Sequence, residues 1–138
     1  AYTIDDLLFL MDRLRHPVTG CPWDLKQNYR SIVPSTLEEA YEVADAIERG
    51  DYAHLREELG DLLFQAVFYS RLAKEEQLFE FSDVVNNLVV KLIRRHPHVF
   101  PEGLLYADAA ISDTSEKEVK QSWEQIKREE RHTKGMLG

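Results

Sequence analysis

The sequence has a single cysteine, Cys21, among its 138 residues. One cysteine cannot form an intrachain disulfide, which favours a reducing compartment, so we expect a cytoplasmic protein. The apolar run DLLFQAVFYSRLA is interrupted by Gln65 and Arg71 and is too short to cross a bilayer. The first residues, AYTIDDLLFLMDRLRH, lack the basic start of a secretory signal. We therefore expect no association with membranes.

The sequence also lacks a glycine-rich phosphate loop and a nucleophile elbow, which argues against P-loop enzymes and serine hydrolases of the common kinds. A net charge of -8 argues against a surface that coats nucleic acid. A local basic cluster or a metal could still bind a small phosphorylated molecule. The proportions of hydrophobic (43%) and charged (30%) residues are those of a globular protein, and the length predicts one domain over 1–138.

No segment shows the alternation of a β-strand, and apolar residues recur at helical spacing almost throughout. We therefore predict an all-α fold, an antiparallel helical bundle. The first predicted helix runs from residue 4 to before Pro17. The second is opened by Pro34 and Thr36 and ended by Gly50, and the third covers about 52–77 with Asp51 as its N-cap. The fourth covers 83–95 with Ser82 as its cap, and the last covers about 115–131. No structure is assigned to 103–113, and a loose tail is predicted at 132–138.

Four acids stand among apolar residues on the second and third predicted helices. Glu39 and Glu42 are three residues apart, as are Glu58 and Asp61, so each pair projects from one side of its helix. The short connection makes the two helices antiparallel neighbours, so the four carboxylates can converge. An unpaired cluster of this kind repels itself, and a divalent cation removes that repulsion.

Oxygen ligands favour Mg²⁺, with Mn²⁺ as a substitute, and no soft or imidazole ligand is evident near the four acids. A di-iron centre would need Glu-x-x-His on two helices, and neither acid pair continues into a histidine. The alternative is that the acids are solvated, as expected for Glu48 and Glu57. No metal-ligand geometry is predicted for the histidines at 16, 54, 96 and 98.

A cationic face ends the fourth predicted helix. Lys91, Arg94 and Arg95 lie at i, i+3 and i+4, an arrangement suited to polyphosphate oxygens, although cations are also common at helix C-termini. Trp23 and Trp123 are candidates for stacking on a base, with core or lid packing as the more frequent role of tryptophan. The third and fourth predicted helices carry more apolar surface than a slim bundle hides, which suggests a subunit interface.

EEAYE, at 38–42, followed by EELGD, at 57–61, resembles the EExxE…ExxD signature of MazG-type nucleoside triphosphate pyrophosphohydrolases. GCPWD, KLIRRHPHVF and WEQIKREER resemble further stretches of that family in the same order, so the resemblance runs from about Asp5 to Arg131. It implies an all-α fold that dimerises. It also implies Mg²⁺-dependent cleavage of (d)NTPs between the α and β phosphates, which yields a nucleoside monophosphate and pyrophosphate.

The resemblance assigns roles to particular residues. Glu38, or another carboxylate such as Glu39, would activate water, and Trp123 would lie near the nucleotide. Only one such module is present, and paired modules of this family need not be equally active. A non-catalytic module that binds nucleotide and metal, or only dimerises, is therefore the alternative, and a redox-metal bundle is a weaker third. The resemblance implies metal ligands at Glu39, Glu42, Glu58 and Asp61, and triphosphate-binding residues at Lys91, Arg94 and Arg95.

Overall fold

A computed structural model of the chain describes residues 1–107 and 114–137. Helices are the only regular structure in these ranges, which confirms the predicted all-α class. The chain divides into two compact units, Ala1–Phe81 and Ser82–Gly138. The helices are α1 (Ile4–Leu14), α2 (Pro22–Leu25), α3 (Tyr29–Glu48), α4 (Tyr52–Glu75), α5 (Phe81–Arg95) and α6 (Glu116–Leu137).

The core of the first unit lies between α1, α3 and α4. Each of these helices is amphipathic, so packing their apolar faces together removes apolar surface from water. This burial stabilises the fold by about 25 cal/mol for each Å² of apolar surface. Glu58 and Asp61 lie in the first half of α4, whereas its second half supplies most of the core. The buried core residues are Met11 of α1, Ile32 of α3, and Val67, Phe68 and Leu72 of α4.

The turn between α3 and α4 is as short as predicted. Gly50 adopts a φ of +66°, a left-handed conformation that suits glycine because it has no Cβ. Asp51 then caps α4 by accepting a hydrogen bond from the His54 backbone N–H at 3.1 Å. The two helices run antiparallel, and the predicted cap at Asp51 is confirmed.

The predicted start of this first long helix, α3, at Pro34 is wrong. The helix begins at Tyr29 because Asn28 and Ser31 cap each other: Asn28 Oδ1 accepts from the Ser31 N–H at 2.9 Å, and Ser31 Oγ accepts from the Asn28 N–H at 2.8 Å. Pro34 therefore lies inside the helix, near its start, where it leaves the Arg30 carbonyl without the usual helical donor.

Ser82 is not the cap of α5, because that helix begins at Phe81 and Ser82 lies in its first turn. Phe81 packs against the core of the first unit, and this contact accounts for the earlier start. The predicted end at Arg95 is confirmed. Of the segment 103–113, to which no structure was assigned, residues 108–113 lie outside the described part of the chain.

The last helix, α6, continues to Leu137, so the end predicted near Arg131 is too early, and the segment predicted as a loose tail is helical up to there. No proline follows to stop the helix. Its start is close to the predicted one. Ser115 Oγ accepts from the Glu118 N–H at 3.2 Å, and the Glu118 carboxylate accepts from the Ser115 N–H at 3.4 Å.

Candidate metal centre

The α3–α4 hairpin brings the four predicted acids together. One ligand atom from each of Glu39, Glu58 and Asp61 lies within 4.8 Å of the others. A second group with the same spacing joins Glu42, His54 and Glu58. Glu58 belongs to both groups and therefore links Glu42 to the other two acids. The predicted convergence is therefore present for Glu39, Glu58 and Asp61, whereas Glu42 joins these acids only through Glu58.

The centre of this group is shielded from water. Glu58 is only 9% exposed, and Glu39 Oε2 is buried with no hydrogen-bond partner among the described atoms. Two ionised carboxylates cannot form a hydrogen bond with each other, whereas a protonated Glu39 can donate one to Glu58. Hydrogen bonding with Glu58, burial, and the charges of Glu58, Asp61 and Glu38 raise the pKa of Glu39 to about 7. The group therefore holds more negative charge than its surroundings compensate.

His54 is a neighbour of the acids that was not predicted from the sequence, and the expectation that no imidazole lies near them is wrong. His54 Nε2 lies 2.8 Å from Glu58 Oε1. Its Nδ1 lies 3.0 Å from Nη2 of Arg49, and since a guanidinium can only donate, Nδ1 accepts. The proton of a neutral His54 is then on Nε2, where it is donated to Glu58. The i, i+4 spacing of His54 and Glu58 was the available signal.

The relative register of α3 and α4 is fixed by a polar contact near the acids. Thr36 Oγ1 donates to Gln65 Oε1 at 2.8 Å and lies 2.5 Å from Oη of Tyr69. Thr36 precedes Glu39 by almost one turn of α3, so this contact and the turn at Gly50 hold the helices together on both sides of the acids. This contact was not predicted from the sequence.

The acids fit a hard divalent cation. Oxygens bound to one such ion lie within about 5 Å of each other, because metal–oxygen bonds are about 2.0–2.6 Å long. The spacing of the ligand atoms of Glu39, Glu58 and Asp61 meets that condition. Oε2 of Glu39, which has no hydrogen-bond partner among the described atoms, is available as a metal ligand. His54 Nε2 carries its proton toward Glu58, so in this arrangement His54 orients a ligand rather than offering a lone pair.

Two other predicted residues of the first unit lie outside the group of ligand atoms. Glu38 is exposed on α3, and its charge acts on Glu39. Trp23 lies on α2 and is 64% exposed. The loop around α2 is held by buried Arg15, which pairs with Glu75 and donates to the Asp24 carbonyl at 2.6 Å.

The predicted cationic face forms one wall of a cavity of about 640 Å³ in the second unit. Lys91, Arg94 and Arg95 line it from α5, and Glu130 lines it from α6. Nη2 of Arg94 lies 2.7 Å from Glu130 Oε1, and Nη2 of Arg95 lies 2.8 Å from Glu130 Oε2. Hydrogen bonds from Arg95 and Arg94 lower the pKa of Glu130 to about 2. The three cations are together, as predicted, and two of them are paired.

Trp123 lies on α6 of the same unit and is 37% exposed. The ammonium nitrogen of Lys127 lies 4.5 Å from the centroid of its ring, a cation–π contact. The ring is thus partly accessible and partly held by its own helix.

Comparison with known proteins gives a consistent result. The sequence profile of the MazG nucleotide pyrophosphohydrolase domain matches residues 27–100, which contain all the acids of the centre and the cations of α5. The chain is 54% identical over 131 residues to the nucleoside triphosphate pyrophosphohydrolase of Escherichia coli strain K12, an alignment that covers 95% of this chain and 47% of the relative. It is 41% identical over 130 residues to the nucleoside triphosphate pyrophosphohydrolase/pyrophosphatase MazG of Thermotoga maritima, covering 94% and 46%.

The chain therefore spans about half the length of these curated relatives. Among solved structures, it is similar to the crystal structure of a mazG-related protein from Thermotoga maritima, with a TM-score of 0.70 and 26% identity. That similarity covers 90% of this chain and 98% of the other. Sequence profile, relatives and fold thus agree with the motifs around the acids, and the chain belongs to the MazG nucleotide pyrophosphohydrolase domain family.

Proposed function

We propose that this chain hydrolyses nucleoside triphosphates, ribo- or deoxyribo-, to a nucleoside monophosphate and pyrophosphate, with Mg²⁺ as its cofactor and Mn²⁺ as a substitute. The observation that supports this most is the convergence of Glu39, Glu58 and Asp61 with a buried, unpartnered carboxylate oxygen. Removal of surplus or damaged nucleotides is the biological role that such an activity suits.

In this proposal Glu39, Glu42, Glu58 and Asp61 hold the metal. A bound divalent cation polarises phosphate oxygens and lowers the pKa of bound water. In this proposal Glu38, which is exposed beside Glu39, accepts the proton of the attacking water, and Glu39 is the alternative base. His54 keeps the Glu58 carboxylate in one orientation by donating to it.

The cations of α5 act on the phosphates in this proposal. Lys91, Arg94 and Arg95 bind phosphate oxygens and stabilise the charge that develops on the leaving pyrophosphate. Trp123 and Trp23 are the candidates for stacking on the base, since both rings are accessible. Each of these roles can be tested by a substitution that leaves the carboxylates intact.

The direct test is a panel of canonical and modified NTPs and dNTPs incubated with Mg²⁺, with pyrophosphate and monophosphate both measured. Glu39→Gln and Asp61→Asn are expected to abolish pyrophosphate release while helical circular dichroism persists, because each removes a ligand oxygen but keeps the side-chain volume. Glu57→Gln, at an exposed acid outside the ligand groups, is the matched control and is expected to keep the wild-type rate.

The same panel decides between this proposal and a non-catalytic module. Calorimetric binding of nucleotide and metal with no pyrophosphate over hours would favour a module that only binds, in keeping with a chain that spans half of its relatives. Full wild-type rates in both Glu39→Gln and Asp61→Asn would refute the assigned metal ligands.

We also propose that two copies of the chain associate. Large apolar side chains are exposed on α3 and α4, among them Leu37, Tyr41 and Leu59, and α5 contributes no buried residue. A second copy would cover such faces. Light scattering at micromolar concentration is expected to give a dimeric or higher mass, and a monomeric mass would contradict the proposal.

The remaining proposals concern the bounds of the module, the cellular location of the protein and its partners. We propose that residues 1–138 act as one MazG-like module, although longer relatives are known. No described helix is both long enough and apolar enough to span a membrane. Cys21 is a free thiol, which suits the reducing cytoplasm. The net charge of -8 does not favour nucleic acid as a partner.

A further inference from the structure

The two arginines of the cationic face already bind an anion that belongs to the chain. Glu130 uses both of its oxygens: Oε1 accepts from Nε of Arg94 at 2.8 Å, and Oε2 accepts from Nη2 of Arg95 at 2.8 Å. Nε of Arg95 adds a longer bond to Oε1 at 3.4 Å. Each guanidinium is therefore engaged through its Nε side, as it would be by a bound carboxylate or phosphate.

Lys91 differs from these arginines. No ion pair of Lys91 is found among the side chains that the structure describes, and this residue lies on the same wall of the cavity. Three cations on this wall face two acids, since Glu129 and Glu130 both line the cavity. The local charge is thus much less positive than the sequence of α5 alone implies.

We propose that Glu130 is a specificity-determining residue that occupies the place of a phosphate group on Arg94 and Arg95. A polyphosphate binds these arginines by replacing the carboxylate, so that weakly charged anions fail to displace it and highly charged ones succeed. The proposal rests on the proposed function for the identity of the substrate. The competition with Glu130 requires only that the anion bind the two arginines, whether or not it is a substrate.

The exposure of the groups supports an exchange of this kind. Arg94 is about half exposed and the Glu130 side chain is 18% exposed, so an anion in the cavity can reach the pair without opening the helices. Guanidinium groups form bidentate bonds with carboxylate and with phosphate in similar geometry. Because a triphosphate carries several charges, it gains more from Lys91 and both arginines than one carboxylate does.

The test measures binding of inorganic triphosphate, without metal, to the whole chain by calorimetry. E130Q keeps the side-chain volume and removes the competing charge. E129Q is the matched control: Glu129 lines the same cavity from the neighbouring position, but its Oε1 accepts from Gln125 and binds neither arginine. E130Q is expected to bind triphosphate about fivefold to tenfold more tightly than E129Q does, with at least as large a relative gain for monophosphate, because the carboxylate that excludes weakly charged anions is gone.

E130Q is also expected to lower the melting temperature, because the arginines lose their partner in the free protein. A residue that only braces α5 against α6 would lower the melting temperature without tightening binding. Equal or weaker binding by E130Q than by E129Q would therefore overturn the proposal. If E130Q does not fold, E130D, whose shorter side chain weakens the pairing, must bind triphosphate more tightly than the wild type.

This measurement is separate from hydrolysis. Tighter binding by E130Q in a chain that releases no pyrophosphate would support the competition and contradict the proposed enzyme. Normal hydrolysis with unchanged triphosphate binding by E130Q would do the reverse.

Discussion

The two units of the chain treat concentrated charge in opposite ways. In the first unit Glu39, Glu58 and Asp61 are brought together, and one buried oxygen of Glu39 has no hydrogen-bond partner among the described atoms. In the second unit Arg94 and Arg95 are also brought together, but Glu130 satisfies both. Under the two proposals above, the first unit would bind a ligand that balances its charge, whereas the second would release an internal ion pair to accept one.

The comparison shows that clustered charge alone does not identify a vacant site. An uncompensated cluster lowers the stability of the free protein and recovers it on ligand binding. A compensated cluster stabilises the free protein and weakens ligand binding. Stability measured with and without ligand should therefore separate the two units.

Glu58→Gln should remove the difference between the units most completely. Glu58 belongs to both groups of ligand atoms, so its loss is expected to weaken Mn²⁺ binding by about 100-fold or more while raising the melting temperature of the metal-free protein. Calorimetry and thermal unfolding measure both effects. Glu57→Gln should change neither, and wild-type Mn²⁺ affinity in Glu58→Gln would contradict the site.

The pH dependence of metal binding should reveal the raised pKa of Glu39. A metal must displace the proton of this carboxyl, so affinity is expected to rise about tenfold per pH unit below pH 7 and to level off above it. Without metal, the stability of the fold is expected to change with pH in the opposite direction. Because the folded state holds this proton up to about pH 7 and the unfolded state only to about 4.5, stability should fall as the pH rises between these values.

Calorimetric titrations with Mn²⁺ from pH 5.5 to pH 8 check this dependence. Glu39→Gln carries no proton to displace and should bind more weakly with a flatter profile. A flat profile in the wild type would show that the metal does not bind at Glu39.

His54→Ala should weaken metal binding by about tenfold, because Glu58 loses the donor that orients its carboxylate. His54→Gln, whose amide can still donate toward Glu58, is expected to recover part of the affinity. Mn²⁺ titrations on both variants give the comparison, with melting temperatures as a check on folding. Equal losses in the two variants would show that His54 acts through packing or as a direct ligand.

Tyr69→Phe should have the smallest effect, a loss of about 1–2 kcal/mol in the free energy of unfolding. The reason is that Thr36 loses a partly buried hydrogen-bond partner. Urea unfolding measures it. Tyr52→Phe, at a tyrosine that is 71% exposed, is the control and should be near neutral. No loss in Tyr69→Phe would show that packing alone holds the register of α3 and α4.

Much of the fold could be predicted because it depends on local signals. The helical spacing of apolar residues, Gly50 as the end of α3 and Asp51 as the cap of α4 all act within a few residues of chain. The errors lie where two signals competed. The mutual cap of Asn28 and Ser31 starts α3 ahead of Pro34, and the contact of Phe81 with the core starts α5 ahead of Ser82.

The candidate centre could be predicted in part, because i, i+3 pairs on neighbouring antiparallel helices must face each other in some register. The orientation of His54 could not, since it depends on Arg49 across the turn. The pairing of Arg94 and Arg95 with Glu130 could not be predicted either. Glu130 is distant from the arginines in sequence, and nothing local indicates which charged residue faces them.

The tight turn at Gly50 has a consequence for how the centre forms. Every acid of the centre lies between Glu39 and Asp61, so the chain has to close only a short loop to gather all of them. Short closures cost little entropy and tend to form early, so we expect the proposed metal ligands to come together with their own pair of helices rather than after the rest of the molecule. A stretch of sequence that carries a whole ligand set in this way can be duplicated or transplanted in one piece.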